Sequence, residues 1–361
     1  MDTVDLAIVG GGVIGALVAH EALAAFPDAT IAVVERGLIG QGASGRSAGV
    51  HFPRGATERV RSMSGYSHRA WEGLAGELGL PIRAVDATVV ATGDADVIST
   101  TYLRLGDETA PADPARGWAA APGARAWTLH GCHYADVQAV AGRVLARLRD
   151  RVTVLEGTEV TELSSGGERL LTLGQGRGLL ARRVVLAPGP WIAHPAWADL
   201  VAPLGLRVKK VVAMHLESSP APGDPLTIFH DEDAFLLPLH ERGHLLFSYT
   251  CDRWDVAPDD ARLVLERSDL DDARAVLGRF APGLAALCNS GRVFCDAYSP
   301  HREPVVAELR PGLVFAGAAN GSGYRLAPAI AAETVAVLDL AALRAGSTPP
   351  ASLSQPGQRQ S

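Results

Sequence analysis

The sequence has 361 residues, of which 47% are hydrophobic, and a formal net charge of −7 with a pI near 5.9. A chain of this length can bury a large core and is more often two domains than one. Its charges are scattered, so it offers no basic surface to nucleic acid or to an anionic membrane, and we expect neither partner. No apolar run approaches the roughly 20 residues of a membrane span, and a strand-like segment without a charged leader comes first, so we expect a cytoplasmic protein.

Neither a metal site nor a disulfide is predicted. The four cysteines are far apart and form no C-x-x-C pair, which favours reduced thiols; they are Cys132, Cys251, Cys288 and Cys295. Asp269, Asp271 and Asp272 form an acidic cluster without histidine or cysteine, so we interpret it as a solvated helix start. Lys209 and Lys210 are the only lysines, which we attribute to a GC-rich genome.

The first predicted elements are a strand at residues 4–9 and a helix at 13–25, joined by a glycine-rich turn. The turn contains G-x-G-x-x-G at Gly10, Gly12 and Gly15, in the strand-to-helix context that dinucleotide binding requires. The first glycine permits the tight turn, the second lets the backbone approach a pyrophosphate, and the third allows close helix packing. The helix N-terminus then faces the phosphates.

A second apolar strand, residues 30–34, leads to Glu35, about 20 residues after the last glycine of the turn. A carboxylate there accepts hydrogen bonds from ribose hydroxyls, which argues against a 2′-phosphate and hence against NADP. The alternative is a glycine-rich turn in an unrelated βαβ unit, which the agreement of strand, helix and acidic residue disfavours.

A run of small residues at 40–49 follows the acidic residue, and its amides and hydroxyls are suited to wrapping a second part of a dinucleotide. Nicotinamide-binding domains do not need such a run. Together with the first turn, it resembles the D-amino-acid oxidase superfamily of FAD enzymes, the group that includes glycine oxidase and monomeric sarcosine oxidase. There a G-A-S-G-R-x-A-G segment contacts phosphate and isoalloxazine, and residues 44–49 match it position for position. The alternative is a flexible linker.

The resemblance implies that the next stretch, residues 51–59 before a predicted helix, lies over the flavin ring. His51, Arg54 and Arg59 are therefore candidates for the roof of the active site. The alternative for each arginine is a solvated charge near a helix start.

The order of predicted elements, with the resemblance, indicates a mixed α/β and α+β fold made of two domains. Residues 1–85, 133–195 and 301–345 are predicted to form a discontinuous Rossmann-like FAD-binding domain, 86–132 and 196–300 a substrate domain with a mostly antiparallel sheet, and 346–361 a flexible tail.

Hydrophobic periodicity predicts the remaining elements. Residues 86–132 contain short strands interrupted by a polar stretch at 107–123, and helices are predicted over 135–149 and 258–280. The other predicted strands are 152–155, 159–163, 170–173, 182–187, 208–216, 235–239 and 244–249.

The segment 295–330 resembles the closing segment of the same superfamily, T-P-D-x-x-P-h-h-G followed by a strand and G-x-x-G-x-G-h-K/R-h-A-P. The match places Gly321, Ser322 and Gly323 beside the pyrimidine edge of the flavin, with the following helix directed N-terminus first at N1 and O2. A helix dipole there would stabilise the negative charge of reduced flavin.

The predicted FAD contacts come from several segments of the chain. In the family the backbone near Val160 meets the adenine, and the turn at 187–191 resembles an A-x-G-x-W segment that passes close to the cofactor. The full predicted set is Gly10, Gly12, Val13, Ile14, Gly15, Glu35, Arg36, Ser44, Gly45, Arg46, Ser47, Ala48, Gly49, Val160, Ala187, Gly189, Trp191, Gly317, Gly321, Ser322, Gly323, Tyr324 and Arg325.

No nucleophile elbow, paired carboxylates or metal-ligand spacing is present, so we expect the flavin to supply the redox chemistry and protein groups to orient the substrate. The position of Arg325 matches the cation that holds the substrate carboxylate in sarcosine oxidase-like enzymes, and a guanidinium suits a bidentate clamp. The alternative is a structural ion pair. Tyr249, Tyr298 and His51 are predicted polar contacts, and Arg302 stands near the family's usual D-G pair, directed into the site or to solvent.

Two positions depart from the family. Cys295 is offset by one residue from the cysteine that carries covalent flavin in sarcosine oxidases, so noncovalent FAD is the favoured prediction and a link through Cys295 the alternative. The strand at 244–249 lacks the lysine that sarcosine oxidases place over the flavin, and Leu246 or Phe247 falls near its place. A cation there would stabilise superoxide, so the electron acceptor, O2 or another, is left open.

The sequence therefore predicts an FAD-dependent oxidoreductase that oxidises the C–N bond of an amino or imino acid by hydride transfer to flavin, giving an imine. The nearest alternative is a 2-hydroxy-acid dehydrogenase, with His51 or His301 taking the hydroxyl proton. A more distant alternative is a nonredox protein that holds FAD or another nucleotide. The oligomeric state is left open.

Overall fold

The computed structural model describes residues 2–110, 122–164 and 169–338. The predicted tail at 346–361 lies outside these ranges, as does most of the polar stretch at 107–123. In chain order the elements are β1 (Asp2–Val9), α1 (Val13–Ala25), β2 (Ile31–Val34), α2 (Ala43–Arg46), β3 (Val50–His51), α3 (Glu58–Leu78), β4 (Ile82–Ala84), β5 (Ala87–Ala91), α4 (Ala95–Thr101), β6 (Leu105–Thr109), β7 (Arg125–Leu129), β8 (His133–Ala135), α5 (Val137–Arg147), β9 (Val152–Leu155), β10 (Val160–Leu163), β11 (Arg169–Leu173), β12 (Gly178–Leu186), α6 (Ala198–Val201), β13 (Arg207–Leu216), β14 (Leu226–Phe229), β15 (Ala234–Leu239), β16 (His244–Tyr249), α7 (Arg267–Gly278), α8 (Pro282–Ala285), β17 (Cys288–Tyr298), β18 (Val305–Arg310), β19 (Leu313–Gly317) and α9 (Gly323–Val337).

The first large sheet has a parallel centre. Strands β12, β1, β2 and β9 run parallel in that order, β19 lies parallel to the end of β12, and β10, β11 and β18 pair antiparallel. The second half of β1 and all of β2 are apolar and buried, as expected for parallel strands covered on both faces. Helices α1, α3, α5 and α9 cover one of these faces. This is the predicted Rossmann-like arrangement, and the fold class is confirmed.

Helix α1 begins and ends at the predicted residues because its small residues fit its surroundings. Gly15 is buried, and Ala16 and Ala19 lie in the apolar cluster that α1 shares with Ala327 and Ala331 of α9. Small side chains on both helices allow their backbones to approach closely. The N-terminus of each helix is thereby held at the same edge of the first sheet.

The second large sheet is antiparallel except for one pair of strands. Its order is β17-β13-β16-β15-β14-β5-β7-β6, and β14 and β5 are the parallel pair. One face packs against α7 and α8 through an apolar cluster that includes Phe247, Leu277 and Phe280. Because successive side chains along a strand alternate between faces, the same strands present a second set of side chains on the opposite face.

The two sheets draw on different parts of the chain. Strands of the first sheet lie within 2–34, 152–186 and 305–317, and those of the second within 87–129 and 207–298. A small third sheet has the order β3-β8-β4. This distribution supports the discontinuous two-domain division, which stays a proposal. Within the described ranges, no helix combines the length and apolar character needed to cross a membrane.

One predicted helix is shorter than expected. The helix predicted over 258–280 begins only at Arg267, where Glu266 and Asp269 form a capping box. Before it, the side chains of Asp259 and Asp260 bind other groups, Trp191 Nε1 and the amide of Arg262 respectively. Aspartates that make such bonds favour turns over helix interiors, and the preceding segment is irregular. Helix α4, capped by its neighbour Asp94, was not predicted.

Candidate active site

A cavity of about 640 Å³ is lined by residues of both large sheets. Most of the predicted site residues meet there. They are Gly10, Gly12, Val13, Ile14, Gly15, Glu35, Arg36, Ser44, Arg46, Ser47, Ala48, Gly49, Val160, Ala187, Gly189, Trp191, Tyr249, Tyr298, Gly321, Ser322, Gly323, Tyr324 and Arg325. Five predicted residues, Gly45, His51, Arg59, Arg302 and Gly317, do not line the cavity.

The glycine-rich first turn leaves no room for side chains. A Cβ on Gly10 would lie 2.2 Å from the carbonyl oxygen of Ala187, and a Cβ on Gly15 would lie 1.9 Å from the carbonyl oxygen of Gly10. Gly10 also has a φ of 109°, which side chains rarely permit. The turn therefore requires glycine at both positions.

Helix α1 begins at this turn and faces the cavity with its N-terminus. Its N-cap residue, Gly12, has no side chain to cap the helix, and the amide of Val13 donates to Ser44 Oγ at 3.1 Å. The positive end of the helix dipole together with the cavity-lining backbone suits an anion such as a phosphate.

The Glu35 carboxylate is held in place by backbone amides. Its Oε2 accepts from Gly11 and its Oε1 from Gly37, both at 2.8 Å. A carboxylate offers about four acceptor positions, so the two that remain are free to accept from other donors such as ribose hydroxyls. The adjacent Arg36 is already engaged, in a bidentate pair with Asp259.

The loop before α9 is the second turn at the cavity, and it too depends on backbone conformation. Ala318, Asn320 and Gly321 have φ values of 49°, 55° and 77°. Left-handed backbone is costly for residues with side chains, so it persists where surrounding bonds impose it. Here the Asn320 amide nitrogen donates to the Ala318 carbonyl at 2.9 Å, and the Gly321 amide donates to Asp296 Oδ2 at 3.1 Å. The N-terminus of α9 follows and lines the cavity.

Two arginines meet near the start of α9. Arg325 donates to Ser322 Oγ at 2.5 Å, and its guanidinium carbon lies 5.0 Å from the centre of the Phe52 ring. Burial, and then the nearby Arg54 guanidinium, lower the pKa of Arg325 to about 10, so it stays charged at neutral pH. Arg54 pairs with Asp233 at 2.8 Å. Arg54 and Asp233 both line the cavity, and Asp233 was not predicted.

Lys209 and Asp296 are cavity residues that sequence analysis missed. They lie opposite each other on the paired strands β13 and β17. The Lys209 ammonium lies 4.8 Å from the centre of the Trp254 ring and 5.5 Å from that of Tyr298. Burial raises the pKa of Asp296 to about 6. A period of two along β17, at Phe294, Asp296 and Tyr298, is the pattern by which strand analysis could have found this face.

His51 lies behind the cavity wall, on the face of β3 opposite Val50. Its Nε2 is 3.3 Å from His68 Nδ1, and its ring stacks on His133 at 4.5 Å. Burial lowers the pKa of His51 to about 2 and that of His133 to about 4, so both are neutral at pH 7. Val50 and Phe52 line the cavity, whereas His51 does not. The structure thus gives His51 no direct contact with a ligand in the cavity.

Other predicted side chains also point elsewhere. The Tyr249 hydroxyl donates to the Asp269 carbonyl at 3.0 Å, under α7, although the residue itself lines the cavity. Arg302 is exposed in a turn with a φ of 58°. Arg59 pairs with Glu303 and Glu333.

Cys295 is buried but does not line the cavity, in contrast to its neighbours Phe294 and Asp296. Burial raises the pKa of its thiol to about 12. The thiolate that would be needed for covalent attachment is therefore disfavoured at neutral pH.

Comparison with known proteins identifies the family. The family model "DAO: FAD dependent oxidoreductase" matches residues 5–337, and the chain belongs to this family. Glycine oxidase from Geobacillus kaustophilus superposes with a TM-score of 0.75 at 21% identity, over 94% of this chain and 95% of that chain. L-proline dehydrogenase from P. horikoshii has a TM-score of 0.76 at 17% identity, over 94% of each chain.

A third solved structure is NikD, described as an unusual amino acid oxidase essential for nikkomycin biosynthesis. It has a TM-score of 0.74 at 18% identity, over 97% of this chain and 96% of that chain. These identities establish a shared fold. A search of curated proteins gave no match.

The protein is therefore an FAD-dependent oxidoreductase, and the nonredox alternative is wrong. The cavity fits FAD because two helix N-termini and two glycine-rich turns line it, and because Glu35 has acceptor capacity beside the first turn. When bound, FAD supplies the acceptor for two electrons.

Proposed function

We propose that this enzyme oxidises the C–N bond of an amino or imino acid to an imine, with Arg325 and Arg54 binding the substrate carboxylate. The observation that carries this proposal is the charge near the start of α9. Two guanidinium groups stand against one carboxylate, that of Asp233, which is already engaged with Arg54 and Thr250. One positive charge is left over, and a single substrate carboxylate balances it.

The surroundings of the arginines favour an uncharged amine. Phe52, Ile228 and Phe235 line the same cavity and are apolar. Desolvation beside such side chains disfavours an ammonium group, and a neutral amine carries the lone pair that C–N oxidation requires. Glycine oxidase and L-proline dehydrogenase, which share the fold, are named for reactions of amino acids, which supports the same substrate class here.

The position of Lys209 supports O2 as the electron acceptor. In sarcosine oxidases, which the sequence resembles, a lysine lies over the flavin on the strand that corresponds to β16, and β16 has no lysine. Lys209 lies on the neighbouring strand β13 and lines the cavity. An ammonium group at this wall stabilises superoxide as it forms.

FAD is proposed to bind without a covalent link, because the Cys295 thiol does not line the cavity. The alternative of 2-hydroxy-acid oxidation has weaker support. It needs a base for the hydroxyl proton, and neither His51 nor the exposed His301 lines the cavity.

Anaerobic reduction of the holoenzyme tests the proposal. We would mix the yellow enzyme with matched sets of an amino acid, its 2-hydroxy analogue and the amine that lacks the carboxylate. Amino or imino acids are expected to remove the visible absorbance of oxidised flavin, and the other two are not. Reduction by the hydroxy acid in place of the amino acid would overturn the proposal, as would equal reduction by the decarboxylated amine.

Arg325→Met sharpens the test. Loss of a charge-assisted bidentate contact is expected to raise the substrate concentration for half-maximal reduction about 10- to 100-fold. The exposed Arg302→Met is the matched control and should leave that concentration unchanged. An unchanged half-maximal concentration in Arg325→Met would show that Arg325 does not bind the substrate carboxylate.

A further inference from the structure

An arm made of residues 256–265 extends from the second sheet to the first. At its base the Asp255 amide donates to the Val208 carbonyl at 2.7 Å, and the Asp255 carboxylate pairs with Arg207 at 2.6 Å. At its other end the capping box of Glu266 starts α7. Both ends of the arm are thus fixed to the second sheet, and the segment between them is irregular.

The tip of the arm binds Arg36 and Trp191, which lie in the loops that follow β2 and β12 of the first sheet. The Asp259 carboxylate accepts from Arg36 Nη2 at 2.7 Å, from Arg36 Nη1 at 3.1 Å and from Trp191 Nε1 at 2.8 Å. The Arg36 guanidinium carbon lies 4.2 Å from the centre of the Trp191 ring. All three residues line the cavity, so this cluster joins its two walls.

Two further contacts fix the position of Trp191. Its carbonyl accepts from Trp197 Nε1 at 2.8 Å, and a Cβ on Gly42 would lie 3.0 Å from its ring. The ring is therefore set against the start of α2 and has little freedom to move away from Asp259.

We propose that Asp259 is a positioning residue that retains FAD, because it holds Arg36 and Trp191 as a stacked pair at a solvent-exposed part of the cavity lining. Arg36 directly follows Glu35, whose carboxylate is proposed to bind the ribose. If the pair retains FAD, its release would require the three hydrogen bonds to Asp259 to break. The inference concerns retention of the cofactor and holds whichever substrate the enzyme oxidises.

Because the Arg36–Asp259 ion pair is partly exposed, its effect on FAD retention can be measured separately from its effect on folding stability. The Arg36 side chain is 37% exposed and that of Asp259 is 62% exposed. Ion pairs at such exposure contribute little to folding, whereas a bidentate pair that must open before a ligand can leave slows dissociation. Asp259→Asn is therefore expected to leave the unfolding midpoint nearly unchanged and to increase the rate of FAD release.

The experiment is to dilute the holoenzyme and follow the fluorescence of released FAD. Asp259→Asn is expected to release FAD about tenfold faster than the parent, and Asp259→Glu is expected to restore most of the retention. Trp191→Phe, which keeps a ring but loses Nε1, is expected to fall between them. Asp260→Asn is the matched control, since the Asp260 carboxylate pairs with Arg262 of the arm itself, and it should release FAD at the parent rate.

Salt provides a second readout. At about 1 M salt the Debye length is roughly 3 Å, so an exposed ion pair is weakened. FAD release from the parent should accelerate with salt more than release from Asp259→Asn. Release from Asp259→Asn at the parent rate, or equal acceleration by Asp260→Asn, would overturn the proposal. Neither result would affect the proposed substrate chemistry.

Discussion

The two large sheets form walls of one cavity by different means. On the first sheet the wall is mainly backbone: the turn at Gly10, the loop at Gly321 and the N-termini of α1 and α9. On the second sheet the wall consists of side chains such as Lys209 and Asp296, which alternate with core residues along their strands. Cofactor binding thus depends on where side chains are absent, and the proposed selection of substrate depends on which side chains are present.

Lys209 and Lys210 are adjacent in sequence, yet their side chains make different contacts. Lys209 faces the cavity and contacts aromatic rings. Lys210 also borders the cavity, but its Nζ donates to Asp269 at 2.6 Å and to the Val264 carbonyl at 3.0 Å. One side chain is available to a ligand and the other holds α7 on the sheet.

The largest expected effect comes from breaking the backbone wall. Gly15→Val should abolish FAD binding and lower the yield of folded protein, because even a Cβ would overlap the Gly10 carbonyl. Retention of FAD on gel filtration, with the melting temperature, measures this. Gly142→Ala in α5 is the control, since nothing lies within 4 Å of its Cβ position. There alanine should bind FAD normally and add about 0.5 to 1 kcal/mol of stability. Normal FAD content in Gly15→Val would contradict the backbone account.

The next largest effect is expected behind the side-chain wall. The side chains of Lys210 and Asp269 are 1% and 4% exposed, so Lys210→Met leaves a buried carboxylate without its partner. We expect a loss of about 3 to 5 kcal/mol in the free energy of unfolding. Lys209→Met, which removes the cation–π contacts with Trp254 and Tyr298, should lose no more than about 2 kcal/mol. Urea unfolding of the two holoenzyme variants measures these losses. Equal losses in the free energy of unfolding would contradict the different roles assigned to the two lysines.

A smaller effect is expected from the histidines packed behind the backbone wall. Since the folded-state pKa values of His51 and His133 lie below the usual 6.5, the unfolded chain binds more protons below that pH. Stability is therefore complete above pH 6.5 and falls as the pH decreases, by about 2 kcal/mol for each histidine at pH 5. His133→Phe should show a shallower fall between pH 6.5 and 5, whatever its stability at pH 7. If stability fell equally with pH in the parent and in His133→Phe, His133 would not be buried in its neutral form.

The backbone wall was predictable because steric exclusion is local. Gly10, Gly12 and Gly15 lie within one turn, and the helix that follows begins and ends where its pattern predicts. The spacing of the glycines is therefore enough to predict the geometry of the turn. The family resemblance added the loop at Gly321 for the same reason.

The side-chain wall was not predictable to the same degree, because it depends on register between distant strands. Lys209 meets Asp296 only through the pairing of β13 with β17, and Asp233 reaches Arg54 from a turn between two other strands. His51 shows that a shift of one residue changes whether a residue lines the cavity, because Val50 and Phe52 on either side of it line the cavity and His51 does not. Asp259 lies in a segment whose pattern predicts a helix, although tertiary bonds keep it irregular.

The two lysines have a practical consequence for chemical labelling. Both are less than 10% exposed, at 7% for Lys209 and 2% for Lys210, and the remaining bases of the chain are arginine or histidine. Acylating reagents that modify lysine will find no such side chain on the outer surface. Both lysines border the cavity, but the Lys210 ammonium is paired with Asp269. Lys209 then becomes a built-in reporter of occupancy: its acylation in the apoprotein, and its protection once a ligand is bound, would map access to the cavity without an added probe.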